Sequence, residues 1–284
     1  MKNFGIFVNP YYDGLNDLFR ILKELRDKND LNYYKLNMKD IDFPDFIDTL
    51  GKMEADTLDC ILTFGGDGTF LRAVEFSLKY DTPLLGINLG KLGFLSESSL
   101  EELEKSIDDL KKNKFRLQAR LLLKVTLKRQ GKVIFTSTAL NDVVINKGAL
   151  PKLIDVRVSS NRRYVMDARC DGILAATPTG STAYSLSGGG PIISPVMNAI
   201  VVNPLNPHIL SLRPIVFNAS DIIELKLINT SADCLLQLDG KNDHNLKEGD
   251  EVLVTADSRK VKFIKLTNKT FYQILRKKLH MGRT

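Results

Sequence analysis

The sequence predicts an α/β N-terminal domain built on a parallel sheet, a β-rich C-terminal domain, and a C-terminal helix that returns to the first domain. Three observations predict it. The first hundred residues alternate apolar strand-like runs with helical stripes, the pattern of a parallel sheet covered by helices. From about Phe115 the pattern changes to short strand-like runs separated by turns. Near the end, Phe271, Ile274, Leu275 and Leu279 resume a helical spacing. These signals put the first domain at residues 1–98 plus about 267–284, and the second at 99–266. A chain of 284 residues is long enough for two domains and a substantial core.

The start, Met1 to Val8, is too short for a signal peptide and reads as a first strand ending at Asn9-Pro10. Leu15, Leu18, Phe19, Leu22 and Leu25 form one helical stripe. Asn32 to Leu36 reads as a second strand and Cys60 to Phe64 as a third. Phe70 to Tyr80 is a helix and Leu84 to Asn88 a fourth strand. Ser98-Ser99-Leu100-Glu101 has the form of a capping box opening a helix with Leu100, Leu103, Ile107 and Leu110 on one face. In the second domain the strands are Leu121 to Lys128, Val133 to Thr138, Asp142 to Asn146 and Ile154 to Ser159.

Composition bounds the function. Hydrophobic content of 43% and charged content of 26% are those of a soluble globular protein. No apolar run approaches the roughly 20 residues that span a bilayer. The 3 cysteines, Cys60, Cys170 and Cys234, are scattered and odd in number, which points to a reducing cytoplasm and away from a disulfide framework or zinc site. The net charge of +6 is concentrated in Lys111 to Lys132, which contains no acid. That stretch lacks a nucleic-acid recognition motif and reads as a solvated face or a general attraction for polyanionic nucleotides.

Two segments carry the chemistry. In Phe64-Gly65-Gly66-Asp67-Gly68-Thr69 a glycine-rich turn joins a strand to a helix, an order that builds an anion site from close backbone approach and helix N-terminal N–H groups. It is neither a dinucleotide G-x-G-x-x-G loop nor a P-loop. Asp67 would repel a phosphate unless it serves to hold a metal ion or to accept a proton from an attacking hydroxyl. The second segment, Asp171 to Pro191, begins as a small-residue strand and becomes dense in hydroxyls and glycines. It reads as a pocket wall whose polar groups can hold a sugar and a base, with Tyr184 offering an apolar face.

Together these motifs resemble the NAD kinase family. The resemblance rests on Gly65-Gly66-Asp67-Gly68-Thr69 and on Thr177-Pro178-Thr179-Gly180-Ser181-Thr182-Ala183-Tyr184-Ser185-Leu186-Ser187. Asn9-Pro10, Asn88 to Leu95, Leu140-Asn141-Asp142, Pro207-His208 with Leu212 to Val216, and Leu238-Asp239-Gly240 match further family segments in the family's order. The matched stretch runs over roughly residues 4 to 245.

The resemblance implies transfer of the terminal phosphoryl group of ATP or polyphosphate to the 2′-hydroxyl of the adenosine ribose of NAD. Gly65, Gly66, Gly68 and Thr69 would cradle the donor phosphates, and Asp67 would act as general base or metal orienter. A divalent ion, Mg²⁺ first, would bridge donor oxygens without a full protein cage. For NAD, the matched positions are Asp67, Gly68, Arg72, Asn141, Asp142, Lys152, Arg169, Asp171, Thr177, Thr182, Ala183, Tyr184, Ser185, Leu186, Ser187 and Lys241. Lys241 stands where the family commonly has Gln or Glu. The resemblance also implies a cytoplasmic homodimer or homotetramer, with neither nucleic acid nor membrane as partner. Two other functions compete: a lipid or sphingoid-type kinase sharing the Gly-Gly-Asp-Gly-Thr turn, and a non-catalytic dinucleotide sensor, against which the acid at Asp67 argues.

Overall fold

A computed structural model describes residues 1–36, 41–51, 56–90, 93–148, 152–230, 233–266 and 270–282. The chain forms two units, residues 1–119 with 261–284, and residues 120–260. The sequence boundaries at 98/99 and 266/267 both lie within the first unit. The reason is burial: Leu103, Ile107 and Leu110, and Ile264 downstream, share one core with Phe4, Ile6, Leu62 and Leu85.

The first unit is a sheet whose central strands run parallel. Strands β1 (Asn3–Val8), β2 (Asn32–Lys35), β3 (Asp48–Thr49), β4 (Cys60–Phe64) and β5 (Leu84–Asn88) lie in the order β3-β2-β1-β4-β5. β4 pairs with β1 and β5 in parallel and is buried at every position. Such two-sided burial is why its sequence is a continuous apolar run rather than an alternating one. Helices α1 (Leu15–Asn29) and α2 (Asp67–Tyr80) follow β1 and β4. On α1, Leu18, Phe19, Leu22 and Leu25 are the buried face.

The expected capping box at Ser98 is not formed. Ser98 and Ser99 are an extended pair, β6, alongside Ile87 and Asn88 of β5, and helix α3 starts only at Leu103. The Ser98 hydroxyl lies 2.7 Å from the Ser106 hydroxyl instead of capping its own turn. Pairing with the sheet holds this backbone extended, so it cannot begin a helix. The closing helix, Phe271–Leu279, opens with a capping box of its own between Thr270 and Gln273. It belongs to the first unit, with Leu275 buried and Lys278 Nζ 5.8 Å from the centre of the Phe94 ring.

The second unit contains two six-stranded sheets around a core of aliphatic residues. One sheet has β10 (Asp142–Lys147) at its centre, flanked antiparallel by β13 (Gly172–Ala176) and β17 (Cys234–Leu238). β14 (Ala199–Leu205) pairs with the far side of β13, and β18 (Lys241–Leu246) with that of β17. The other sheet carries β8 (Leu123–Arg129), β9 (Lys132–Ala139), β11 (Ile154–Ser160) and β12 (Arg163–Cys170). No helix among the described residues is long and apolar enough to cross a membrane.

Candidate active site

The glycine turn leaves the carboxyl end of β4, next to β1, where the strand order reverses. Open α/β sheets place ligands outside strand ends at that point. The turn is anchored on both neighbouring strands: Asn9 N–H donates to the Phe64 carbonyl at 2.8 Å, and Gly65 N–H donates to the Ile87 carbonyl at 3.0 Å. Helix α2 begins at Asp67, three residues before the expected Phe70, because the Gly66 carbonyl accepts the N–H groups of Thr69 and Phe70. Asp67, Gly68 and Thr69 are therefore its first turn, where the helix dipole favours a carboxylate or a bound anion. Gly66 and Gly68 are exposed, and no atom lies within 4 Å of the place a Cβ would occupy on either. Thr69 is buried; its hydroxyl lies 3.4 Å from the exposed Arg72 guanidinium.

Asp67 organises the loop after β5. Its Oδ2 accepts the Phe94 N–H at 2.9 Å and its Oδ1 the Leu95 N–H at 3.0 Å. A carboxylate has about four acceptor positions, so about two stay open for a hydroxyl or an ion. The same loop is fixed from below by Asn88, whose amide donates to the Gly90 carbonyl, and by Ser96, whose hydroxyl accepts the Gly93 N–H at 3.2 Å. Lys91 and Leu92 of the expected Asn88–Leu95 match lie outside the described residues.

In the second unit the structure gathers Asn141, Asp142, Thr177 and Gly180. Asn141 is half-buried just before β10, and Asp142 is buried at its first position. The Thr177 hydroxyl donates to the Leu140 carbonyl at 2.6 Å, and the Thr177 N–H to the Asn141 carbonyl at 2.8 Å. Gly180 packs on the same backbone, where a Cβ would come 2.1 Å from the Asn141 carbonyl oxygen. From the other side the Asp239 carboxylate accepts the N–H groups of Leu140, Asn141 and Asp142 at 2.8, 2.7 and 3.2 Å. Burial, with the Asp239 charge added, pushes the Asp142 carboxyl up to about 7. Asp239 is itself raised by its removal from water, an effect opposed by the three N–H donors and by the charge of Lys241.

The hydroxyl-rich segment folds as a 3₁₀ turn at Gly180–Thr182 and a one-turn helix at Tyr184–Ser187. The structure divides its expected lining residues. Tyr184, at 45% exposure, and Ser187 face solvent; Thr182, Ala183 and Leu186 are half-buried. Ser185 is fully buried and turned toward Gly190, where a Cβ would come 2.3 Å from its hydroxyl. Its backbone carbonyl accepts the Gly190 N–H at 2.8 Å, and its side chain is packed inside the turn, away from the exposed face that Tyr184 presents. Asp171 is paired with Lys147 at 2.5 Å and accepts from the Asn206 amide at 3.0 Å, which holds its carboxyl below the usual carboxylate range. Lys152, Arg169 and Lys241 are exposed, with Arg169 Nε 4.0 Å from the Asp155 carboxylate.

Sequence reasoning gave no site role to the residues that support this site from behind, although Ser181 and Asp239 fall in its matched segments. Asn203, fully buried on β14, donates both amide hydrogens, to the Ser185 and Gly188 carbonyls, each at 3.1 Å. Pro204 beside it hides the strand, since proline argues against a central position. Ser181 accepts the Ile193 N–H at 3.0 Å and donates to the Pro178 carbonyl at 2.7 Å. Asp239 had a readable signal. Asp239-Gly240 is a two-residue hairpin loop with both φ values positive, 48° and 78°, as an Asp-Gly turn of the primed type requires.

Known proteins resemble this chain in sequence and in fold. Residues 4–115 match the ATP-NAD kinase N-terminal domain, and residues 140–266 the ATP-NAD kinase C-terminal domain. The NAD kinase of Magnetococcus marinus is 39% identical over 226 residues, 80% of this chain and 75% of that one. That of Natranaerobius thermophilus is 32% identical over 283 residues, 99% of each chain. A crystal structure of yeast NADH kinase complexed with NADH superposes with a TM-score of 0.86 at 26% identity, over 100% of this chain and 89% of that one. An Archaeoglobus fulgidus NAD kinase in complex with ATP shares the fold, with a TM-score of 0.74 at 22% identity over 99% and 100% of the two chains. These matches set aside a lipid kinase or a non-catalytic sensor. With both domains matched and full-length relatives at this identity, the chain belongs to the NAD kinase family and is an enzyme that phosphorylates NAD.

Proposed function

We propose that the enzyme moves the terminal phosphoryl group of ATP or inorganic polyphosphate to the 2′-hydroxyl of the adenosine ribose of NAD. The observation that carries this reading is the Asp67 carboxylate, held at a helix N-terminus beside two open glycines. Phosphoryl transfer depends on positioning and charge stabilisation more than on covalent chemistry. The backbone from Gly65 to Thr69 would hold donor oxygens. Asp67 would accept the proton leaving the 2′-hydroxyl, through the acceptor positions that Phe94 and Leu95 do not occupy.

Asn141 and Asp142 suit a ribose diol, since an amide and an acid together donate and accept. NADH in the yeast relative supports a dinucleotide as acceptor, and the family descriptions support ATP as donor. Thr177, Thr182, Ala183, Tyr184, Leu186 and Ser187 would border base and sugar, with Tyr184 stacking on the base. Ser185 would act from behind through its backbone. Arg72, Lys152, Arg169 and Lys241 would supply positive charge toward phosphates, and Asp171 would meet the second ribose.

Among the described residues no three acids, histidines or cysteines cluster as a metal cage. Mg²⁺ would be carried in on the donor and bound through few protein groups, of which Asp67 is the one in the turn. When bound, the ion neutralises charge on the donor oxygens. The working form would be a cytoplasmic homodimer or homotetramer. The test is an assay with NAD, Mg²⁺ and either ATP or polyphosphate, coupled to a dehydrogenase specific for NADP. Product that the dehydrogenase accepts is expected, with phosphorus NMR placing the group on the 2′-oxygen. Phosphate at any other position would end this reading.

A further inference from the structure

We infer that Asp239 is a positioning residue for dinucleotide binding: its carboxylate fixes the backbone from Leu140 to Asp142 and so sets the side chains of Asn141 and Asp142. The inference rests on the reading of those two side chains as ribose ligands. Asp239 is the turn residue between β17 and β18, and β17 is the direct neighbour of β10. Val143 of β10 faces Leu238, so the next residue, Asp239, lies beside the start of β10.

The hairpin alone does not call for an acid. A primed two-residue turn accepts Asn or Gly at this position as readily as Asp. An acid here also has a cost, since it stands near the buried Asp142 and raises that neighbour's affinity for a proton. What an acid supplies is acceptance without donation. Oδ2 takes the Leu140 N–H at 2.8 Å; Oδ1 takes those of Asn141 at 2.7 Å and Asp142 at 3.2 Å. Asn would offer one such oxygen and would aim an NH₂ group at another N–H. The tie is mutual, because the Asp142 carbonyl accepts the Asp239 N–H at 3.0 Å. The carbonyls of Leu140 and Asn141 go to Thr177. With its N–H groups held on one side and its carbonyls on the other, the segment has one orientation, and the two side chains it carries are preorganised.

The experiment compares Asp239→Asn and Asp239→Gly with Asn141→Ala. Glycine keeps the positive-φ hairpin and deletes the carboxylate. Expected for Asp239→Gly is a rise of about tenfold or more in KM for NAD, with kcat lowered less than about threefold and the KM for ATP unchanged. Asp239→Asn, which keeps one acceptor oxygen, is expected between Asp239→Gly and the parent. If Asn141→Ala raises KM for NAD and both Asp239 variants leave it unchanged, Asp239 is a hairpin residue only and the inference is overturned, while the ribose reading stands. If none of the three moves it, the ribose reading fails and takes the inference with it. A measurement on the unmodified protein covers variants that do not fold. Saturating NAD is expected to slow hydrogen exchange at the amides of Leu140 and Asn141, and unchanged rates there overturn the inference.

Discussion

Gly93 lies against the Asp67 carboxylate so closely that a Cβ at position 93 would stand 2.0 Å from Oδ1. Aspartate has a short side chain, and each of its oxygens already accepts one backbone N–H, from Phe94 and from Leu95. Gly93→Ala must therefore push the carboxylate aside and break one or both bonds. Losing charge-assisted bonds of this kind costs about 1.5–3 kcal/mol each. The variant is expected to melt several degrees lower and to lose at least about tenfold in kcat. A Gly93→Ala enzyme with parental kcat would show that Asp67 can move without consequence.

Asp67→Asn separates the two roles of that side chain. The amide oxygen can still take one backbone N–H, but its NH₂ would face the other, and it cannot take a proton at neutral pH. A loss of about a hundredfold or more in kcat is expected, exceeding what the loosened loop causes in Gly93→Ala. Initial rates of NADP formation decide it. Full turnover in Asp67→Asn would leave the residue a loop-holding group and no more.

How much of this was legible depends on whether local chemistry or long-range contact sets the feature. β4 and the turn after it follow from an apolar run and adjacent glycines, so both were readable. The start of α2 at Asp67 was misplaced because Gly66 at the N-cap and Gly68 in the first turn weaken the helical signal there. Ser98 and Ser99 carry the residues of a capping box, yet pairing with β5 overrides that local preference. The bond from Asp67 to the loop after β5 spans 27 residues, and that from Asp239 to Leu140 spans 99; no periodicity encodes either. Tyr184 and Ser185 show the same limit at short range. Both look like pocket residues in sequence, and only the fold turns one outward and the other in.

Tyr184 is exposed at 45%, so it contributes little to the packing of the free protein. Its value would lie in the apolar face it offers a base. Stacking of this kind is worth roughly 1–3 kcal/mol by alanine substitution. Tyr184→Ala is expected to leave the melting temperature within about a degree of the parent and to raise KM for NAD about tenfold. Steady-state kinetics at varied NAD supplies the check. An unchanged KM contradicts the assignment of this segment to the acceptor.

Asp142 should make the free enzyme less stable as the solution becomes more alkaline. Its carboxyl is pushed up to about 7 by burial, and the nearby Asp239 adds repulsion. In the unfolded chain it returns to the ordinary value of 3.8. Between those two values the folded form keeps a proton that the unfolded form has released. Folding stability therefore falls as pH rises through this window and levels off above about 7. Asp142→Asn removes this dependence and also relieves Asp239 of its neighbour. The variant is expected to melt above the parent at about pH 8, by the equivalent of roughly 2–4 kcal/mol, and the gap is expected to shrink steadily toward about pH 4. Melting curves of both proteins across that range test the claim. Parallel curves would mean that Asp142 carries no buried charge, and that the ribose would meet an ordinary solvated acid instead of one held ready by Asp239.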